Sequence, residues 1–288
     1  MSRIRTVVAT ELLLVVGLVA FVGLVHLAGL LLHLRGPVAL PPLASLGLSA
    51  VPAALWLGYF YLQDRHEPEP KHYVAGVCLA GAFVAAPVAN FVIETLLPAG
   101  SSRGLTHTAG DRVLQAVLLV GLAQELAKYL VVRYTIYLSP EFDEPMDGII
   151  YMTAAGIGFA TAENVRYLQG IDGTVFLTTG AANAVVTTVA HACFAGVLGY
   201  ALGRAKFSPA SPLRRAGMLF LGLCGATALN GVFSTLEGII KVSGLKVQPW
   251  RGLAWAAGFA ALVFLGMSFL MRRQLELSPA RRAEVKTP

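Results

Sequence analysis

Charge is scarce in this chain. Of 288 residues, 22 are Lys or Arg and 16 are Asp or Glu, 13% in all, where an average soluble domain carries about 25%. With 56% hydrophobic residues and a mean hydropathy of +0.68, the charge cannot coat a water-facing surface. That excludes an ordinary soluble enzyme, and the hydrophobicity excludes a disordered chain. The apolar residues run from end to end, which excludes a single membrane anchor. Cysteine is nearly as scarce. Cys78, Cys193 and Cys224 all lie inside apolar runs, an odd set with no CxxC pair. They form no disulfide framework or thiolate metal pattern and read as small hydrophobes between helices. The net charge of +6 is scattered over short gaps and the two ends. It forms no basic face, so no nucleic-acid partner is expected. There is no internal repeat, and no gap is long enough for a soluble domain.

What the chain has in abundance is long apolar runs. About 20 apolar residues cross a bilayer, and eight such runs are present, at about 7–34, 41–62, 73–97, 113–138, 148–168, 175–203, 216–240 and 252–271. They are continuous rather than alternating, which argues for helices over barrel strands. The expected fold is all-α, a polytopic transmembrane helix bundle forming one integral membrane domain over residues 1–288. The first run is too long for a signal-peptide core and has no clear cleavage site, so it counts as a span. With both termini in the cytoplasm, Lys and Arg number 14 on the inside and 7 on the outside. This bias favours that orientation. The Ala, Val, Leu and Gly richness and the compact loops fit a bacterial inner membrane.

Proline marks the gaps. Glu67-Pro68-Glu69-Pro70 separates the second and third runs, and Ser139-Pro140 and Glu144-Pro145 follow the fourth. Asp147-Gly148 is placed to cap the fifth.

Ionisable groups within spans cost roughly 2.5–3.5 kcal/mol each on insertion scales and are functional candidates by default. Here they concentrate in the fourth to seventh runs: Gln124, Glu125, Lys128 and Arg133; Glu163, Asn164 and Arg166; Asn183 and His191; Asn230 and Glu237. Glu125 and Lys128 are three apart and can pair on one helix face. Glu163 follows Gly156-Ile157-Gly158, whose small residues allow close helix approach. Asn183, Thr187 and His191 share a face, and Gly196, Gly199 and Gly203 suit tight packing beyond it. Singly, each polar group has a plain structural use. The pair can merely neutralise itself, Glu163 and Asn164 can anchor at an interface, and His191 or Asn230 can bridge helices. Glu94 and Glu237 read as interfacial, and Glu11, His26 and His33 suggest nothing specific. Together, two carboxylates, a histidine, a lysine and an asparagine on four consecutive spans suit water activation. Glu125, Glu163 and His191 could equally supply three ligands to Zn²⁺, or serve an ion relay.

These residues carry a resemblance. Gln124-Glu125-Leu126-Ala127-Lys128 resembles the Glu-Glu-x-x-Lys motif of the PrsW intramembrane proteases, relatives of the CAAX prenyl proteases. Phe159 to Asn164 is similar to their Phe-x-x-x-Glu-Asn motif, and His191 with Gly196 to their third motif. The acidic-proline stretch 64–70 and the segment 141–148 also resemble that family. The similarity covers about residues 59–235. It implies proteolysis of single-span, membrane-anchored substrates such as anti-sigma factors, within the lipid bilayer. It implies an active site of Gln124, Glu125, Lys128, Glu163, Asn164, His191 and Asn230. Lys128 would support Glu125, and His or Asn would stabilise the oxyanion. Metal and glutamate mechanisms both stand open.

Two positions depart from that pattern. Gln124 stands where the family motif has its first Glu, and an amide cannot take a proton as a base. Either the position carries an inactivating substitution, or Glu125 takes the role, or the chain does not cleave. Ala226 stands where relatives often have a His four residues before Asn230. The alternatives to a protease are therefore a pseudoprotease that binds transmembrane partners, and a proton or solute carrier.

Overall fold

A computed structural model describes residues 2–34, 36–63, 68–96, 109–170, 173–244 and 249–275. Side chains are described from residue 9 onward, except at 109, 112, 237–244, 249–253 and 275. Eight helical rods occupy these residues. They are α1 (Ser2–Leu31), α2 (Pro42–Gln63), α3 (Lys71–Leu96), α4 (109–135), α5 (Asp147–Gln169), α6 (Leu177–Lys206), α7 (Pro212–Gly244) and α8 (Pro249–Leu275). Each matches an expected apolar run to within a few residues. Among the described residues extended pairing is limited to one isolated bridge, Val38 with Val175. Proline starts α2, α7 and α8, where its missing N–H has no intrahelical partner to lose.

Seven of the eight rods are long and apolar enough to cross a membrane; α5 is not among them. Its 23 residues extend about 35 Å, enough for the bilayer core. What it lacks is apolarity, and its position explains why. Residues 147–160 of α5 are all buried, enclosed by α2, α3, α4 and α6. A helix sheathed in protein needs no lipid-compatible surface. By contrast α1 turns Leu12, Leu13, Val16, Val19 and Leu24 outward, an apolar surface that only lipid would cover.

The largest interface joins α5 and α6. Glycine permits it where the sequence expected tight packing. A Cβ on Gly156 would come within 2.5 Å of the His191 carbonyl oxygen, and one on Gly148 within 2.7 Å of the Gly203 nitrogen. α6 itself is the most enclosed apolar helix, 83% buried over its apolar window against 22–39% for the other six.

Two helices contain a π turn. In α3 it spans Gly81–Ala85, and the Ala86 N–H reaches back to the Gly81 carbonyl. Pro87 follows and cannot donate, and a local π adjustment is one way a span accommodates that loss. In α4 it spans Ala116–Gly121, directly before Gln124. Asp147 does not cap α5 as expected. It is the first helical residue, and its Oδ2 accepts from the Glu144 N–H at 2.6 Å, closing the preceding loop. The loop residues Asp64 to Glu67, and the topology-setting Arg35, Arg65, Arg103, Lys246, Arg281, Arg282 and Lys286, lie outside the described residues. So do the side chains of Arg3, Arg5, Arg112, Glu237, Lys241 and Arg251.

Candidate active site

The polar residues of α4, α6 and α7 meet inside the bundle. Glu125 and Lys128 are both fully buried. Lys128 Nζ donates to Glu125 Oε1 at 2.6 Å, the intrahelical pair expected from their spacing. Asn230 Nδ2, from α7, donates to the same oxygen at 2.6 Å. Glu125 Oε2 is buried and has no hydrogen-bond partner among the described residues. One carboxylate oxygen thus takes both donors, and the other is left for a proton or a further ligand.

Lys128 also reaches α6, with Nζ 3.2 Å from His191 Nδ1. An ammonium has donors only, so Nδ1 accepts and the neutral ring carries its proton on Nε2. A charged Lys128 thus favours the tautomer with its proton on Nε2. Phe159 closes the group from α5. Its ring centroid is 4.8 Å from Lys128 Nζ and 5.1 Å from the His191 ring. Phe194 and Phe233 flank the imidazole on other sides. This aromatic wall lowers the local dielectric, which strengthens every charge interaction inside it.

Gln124 is buried, and its Oε1 has no hydrogen-bond partner among the described residues. It precedes Lys128 by four residues and Glu125 precedes it by three, so on a helix the lysine lies between them. It bonds the carboxylate. Asn164 is buried and donates to the Ala184 carbonyl at 3.2 Å and to Thr188 Oγ1 at 3.1 Å, which fastens α5 to α6. Asn183 donates to Thr187 Oγ1 at 3.3 Å on the face leading to His191.

Glu163 makes a different contact. Its Oε1 accepts from Asn90 Nδ2 of α3 at 2.7 Å, in a partly buried setting. Its neighbour Arg166 pairs with Glu94 of α3 at 3.4 Å. Asn90 was not singled out in the sequence. Its signal was present, however: Asn90 and Glu94 lie four apart on one span and match Glu163 and Arg166, three apart on another.

Glu125, Glu163 and His191 do not form a closed ligand set. Among the described residues, the group whose candidate ligand atoms all lie within 4.8 Å of one another is Glu69, Asp143 and Asp147. Between Glu125 and His191 stands the Lys128 ammonium, already bonded to both. As they stand these three residues do not make a closed cation site, and no step is derived through a metal.

The Glu69–Asp143–Asp147 group lies at the mouth of α5, ahead of the expected span. Tyr151 donates its hydroxyl to Glu69 Oε2, and the Glu69 and Asp147 carboxyls are hydrogen-bonded to each other. Burial, reinforced by the adjoining Glu69 carboxyl, pushes Asp147 up to about 10. Burial also raises Glu69, opposed by its hydrogen bonds to Asp147 and Tyr151. Hydrogen-bonded to each other, the two carboxyls favour sharing a proton.

The family model described as "PrsW family intramembrane metalloprotease" matches residues 69–265. The chain belongs to the PrsW family. Among proteins named Protease PrsW, that of Geobacillus kaustophilus is 35% identical over 159 residues, covering 54% of this chain and 64% of that protein. That of Bacillus subtilis is 28% identical over 217 residues, covering 75% and 92%. That of Oceanobacillus iheyensis is 31% identical over 215 residues, covering 74% and 92%. No solved structure matches the chain. The PrsW match takes in every candidate residue from Gln124 to Asn230. Its description carries a metal, and a Glu/Asp group that could bind one, with Glu69 and Asp147 buried and Asp143 exposed, lies within it.

Proposed function

We propose that this chain is an intramembrane endopeptidase that hydrolyses single-span, membrane-anchored proteins of the anti-sigma-factor kind in a bacterial inner membrane. The observation that carries the reading is the convergence of Glu125, Lys128, His191 and Asn230, from three helices, in a buried aromatic-walled cluster. Eight crossings put both termini on one side, and the Lys and Arg bias makes that side cytoplasmic.

In this reading Glu163 is the general base. It is held by a neutral amide in a partly buried setting and is placed to take a water proton. Water adds to the scissile carbonyl while Glu163 takes its proton. His191 Nε2–H, and the Asn230 amide if it turns from Glu125, donate to the developing oxyanion. Lys128, bonded to Glu125, holds the imidazole in that tautomer. Protonated Glu163 then returns its proton to the leaving amine. Gln124 cannot act as a base and takes no proton step. A Zn²⁺ ion held by Glu125, Glu163 and His191 would require these side chains, which do not form a close ligand group here, to draw together beside the Lys128 ammonium. Zinc content of the purified protein tests that requirement, and one Zn²⁺ per chain would replace this mechanism.

The decisive experiment reconstitutes the full chain with a tagged single-span helix that has a Gly-Pro break near its membrane boundary. Cleavage is expected, and His191→Ala and Glu163→Ala are each expected to lower the rate by about 10²–10⁴-fold, as lost acid–base or oxyanion groups do. An intact reporter that nevertheless co-purifies with the chain, even with Gln124→Glu, would instead identify a pseudoprotease.

A further inference from the structure

Glu163 has a potential cation on its own helix. Arg166 is three residues on, a spacing at which Glu and Arg pair readily. The structure instead ties Arg166 to Glu94, and gives Glu163 the amide of Asn90. Both competing partners come from one helix, α3, and lie one turn apart. The difference matters to a base. An ion-paired carboxylate is a weak proton acceptor, because the cation favours its charged form. A neutral amide fixes the carboxylate's direction with far less effect on its charge.

The local construction of α3 serves this contact. The π turn at Gly81–Ala85 inserts one residue, which rotates the following segment by about 100°. At its end and just beyond, Ala85, Ala86 and Ala89 pack with Ala127 and Val131 of α4 and with Phe159 of α5. These small side chains bring α3 against the helices that carry Lys128 and Glu163. Asn90 is the next residue after that alanine face, and Glu163 is one turn beyond Phe159.

We propose that Asn90 is a positioning residue for Glu163: its amide, bonded to Oε1, aims the carboxylate while Glu94 keeps Arg166 from neutralising it. This rests on the reading of Glu163 as the base of an intramembrane protease. The consequence is that α3, which contributes none of the recognised motif residues, is a working wall of the site.

The test uses the reconstituted full chain and the single-span reporter. Asn90→Leu keeps the volume and removes the donor. It is expected to lower kcat by about 10–100-fold, the scale of a misplaced reacting group, with KM changed less than about twofold. Asn90→Gln, which keeps an amide, is expected to recover part of that loss. In a Glu163→Asp background the shortened carboxylate no longer reaches residue 90. Asn90→Leu is expected to add no further loss there, whereas a residue that only supports packing would lose the same factor on both backgrounds. Equal losses on the two backgrounds, a change confined to KM, or an unchanged kcat in Asn90→Leu overturns the role of Asn90. If Glu163→Ala cleaves at the full rate, or the wild-type chain leaves the reporter intact, the protease reading fails and this role goes with it. An inactive Glu163→Ala beside a fully active Asn90→Leu overturns the positioning role alone.

Discussion

Two buried acidic centres lie along this chain, and they are made tolerable in different ways. Deep in the bundle, Glu125 is compensated by a full ammonium and an amide, from α4 and α7. At the mouth of α5, Glu69 and Asp147 have no ion pair among the described residues and are instead hydrogen-bonded to each other, with the Tyr151 hydroxyl on Glu69 Oε2. The contrast follows from access to water. A group near the surface can draw a proton from solvent, so sharing one suffices. Within an aromatic-walled interior, proton supply is restricted and a fixed counter-charge is the durable solution. The first arrangement keeps charge inside the membrane, which is of use for chemistry. The second removes charge and joins two loops, which is of use for structure.

The largest effect is expected from breaking the deep centre. Lys128→Met leaves Glu125 buried with only an amide, and removing one partner of a buried pair costs about 3–5 kcal/mol. It also frees His191 from its enforced tautomer. Cleavage should be lost, and detergent unfolding should occur at markedly lower denaturant. The pair replaced together, Glu125→Gln with Lys128→Met, should recover most of the stability and none of the activity. If the double variant were as unstable as the single one, the ion pair would not be the organising contact.

A smaller effect, of opposite sign, is expected at position 124. Glu there would give Lys128 two carboxylate neighbours, at three and four residues' spacing. Gln124 is buried with an unpartnered Oε1, so the change is accommodated without displacing a hydrogen bond. Gln124→Glu adds a second carboxylate able to take a water proton beside Glu163, so it should raise the cleavage rate, and it should lower stability, since a second buried charge shares one cation. A rate unchanged within error would show that the site works through Glu163 and His191 without a carboxylate at 124.

How much of this was legible beforehand differs between the two centres. The spans were, because bilayer thickness sets a length that composition reports directly. The deep site was legible in outline. Glu125 and Lys128 share a helix, so their pairing needs only helix geometry. Their junction with His191 and Asn230 does not follow from spacing, because it depends on how α4, α6 and α7 are rotated about their axes. The π turn ahead of Gln124 sets part of that rotation and has no clear sequence mark. Asn90 was passed over for the same reason: a lone Asn in a span acquires meaning only when its facing residue is known. At the mouth of α5, Asp147 was legible as a helix-start residue, but its real partners, Glu69 and the Glu144 N–H, come from loops that local rules treat as independent.

The shallow centre yields the smallest effect and the most direct test of proton sharing. In the folded chain Asp147 is raised to about 10, whereas an unperturbed Asp titrates near 3.9. Between those values the folded state binds one more proton than the unfolded state. Unfolding free energy therefore falls as pH rises, by at most about 1.4 kcal/mol per unit for a single proton. The stabilisation is complete below about pH 4 and is lost as pH climbs toward 10. Asp143, which raises both carboxyls, and Glu141, which raises Glu69, add to the effect in the same sense. Denaturant midpoints between pH 6 and 9 should accordingly decline in the wild-type chain. Asp147→Asn places a permanent donor where the protonated acid stood, so it should flatten that decline while leaving the midpoint at pH 6 nearly unchanged. The deep centre should contribute little slope in either chain, because its charge is matched by an ammonium rather than a proton. If Asp147→Asn kept the wild-type slope, the proton would not be shared at the mouth of α5, and the two centres would have to be neutralised in the same way.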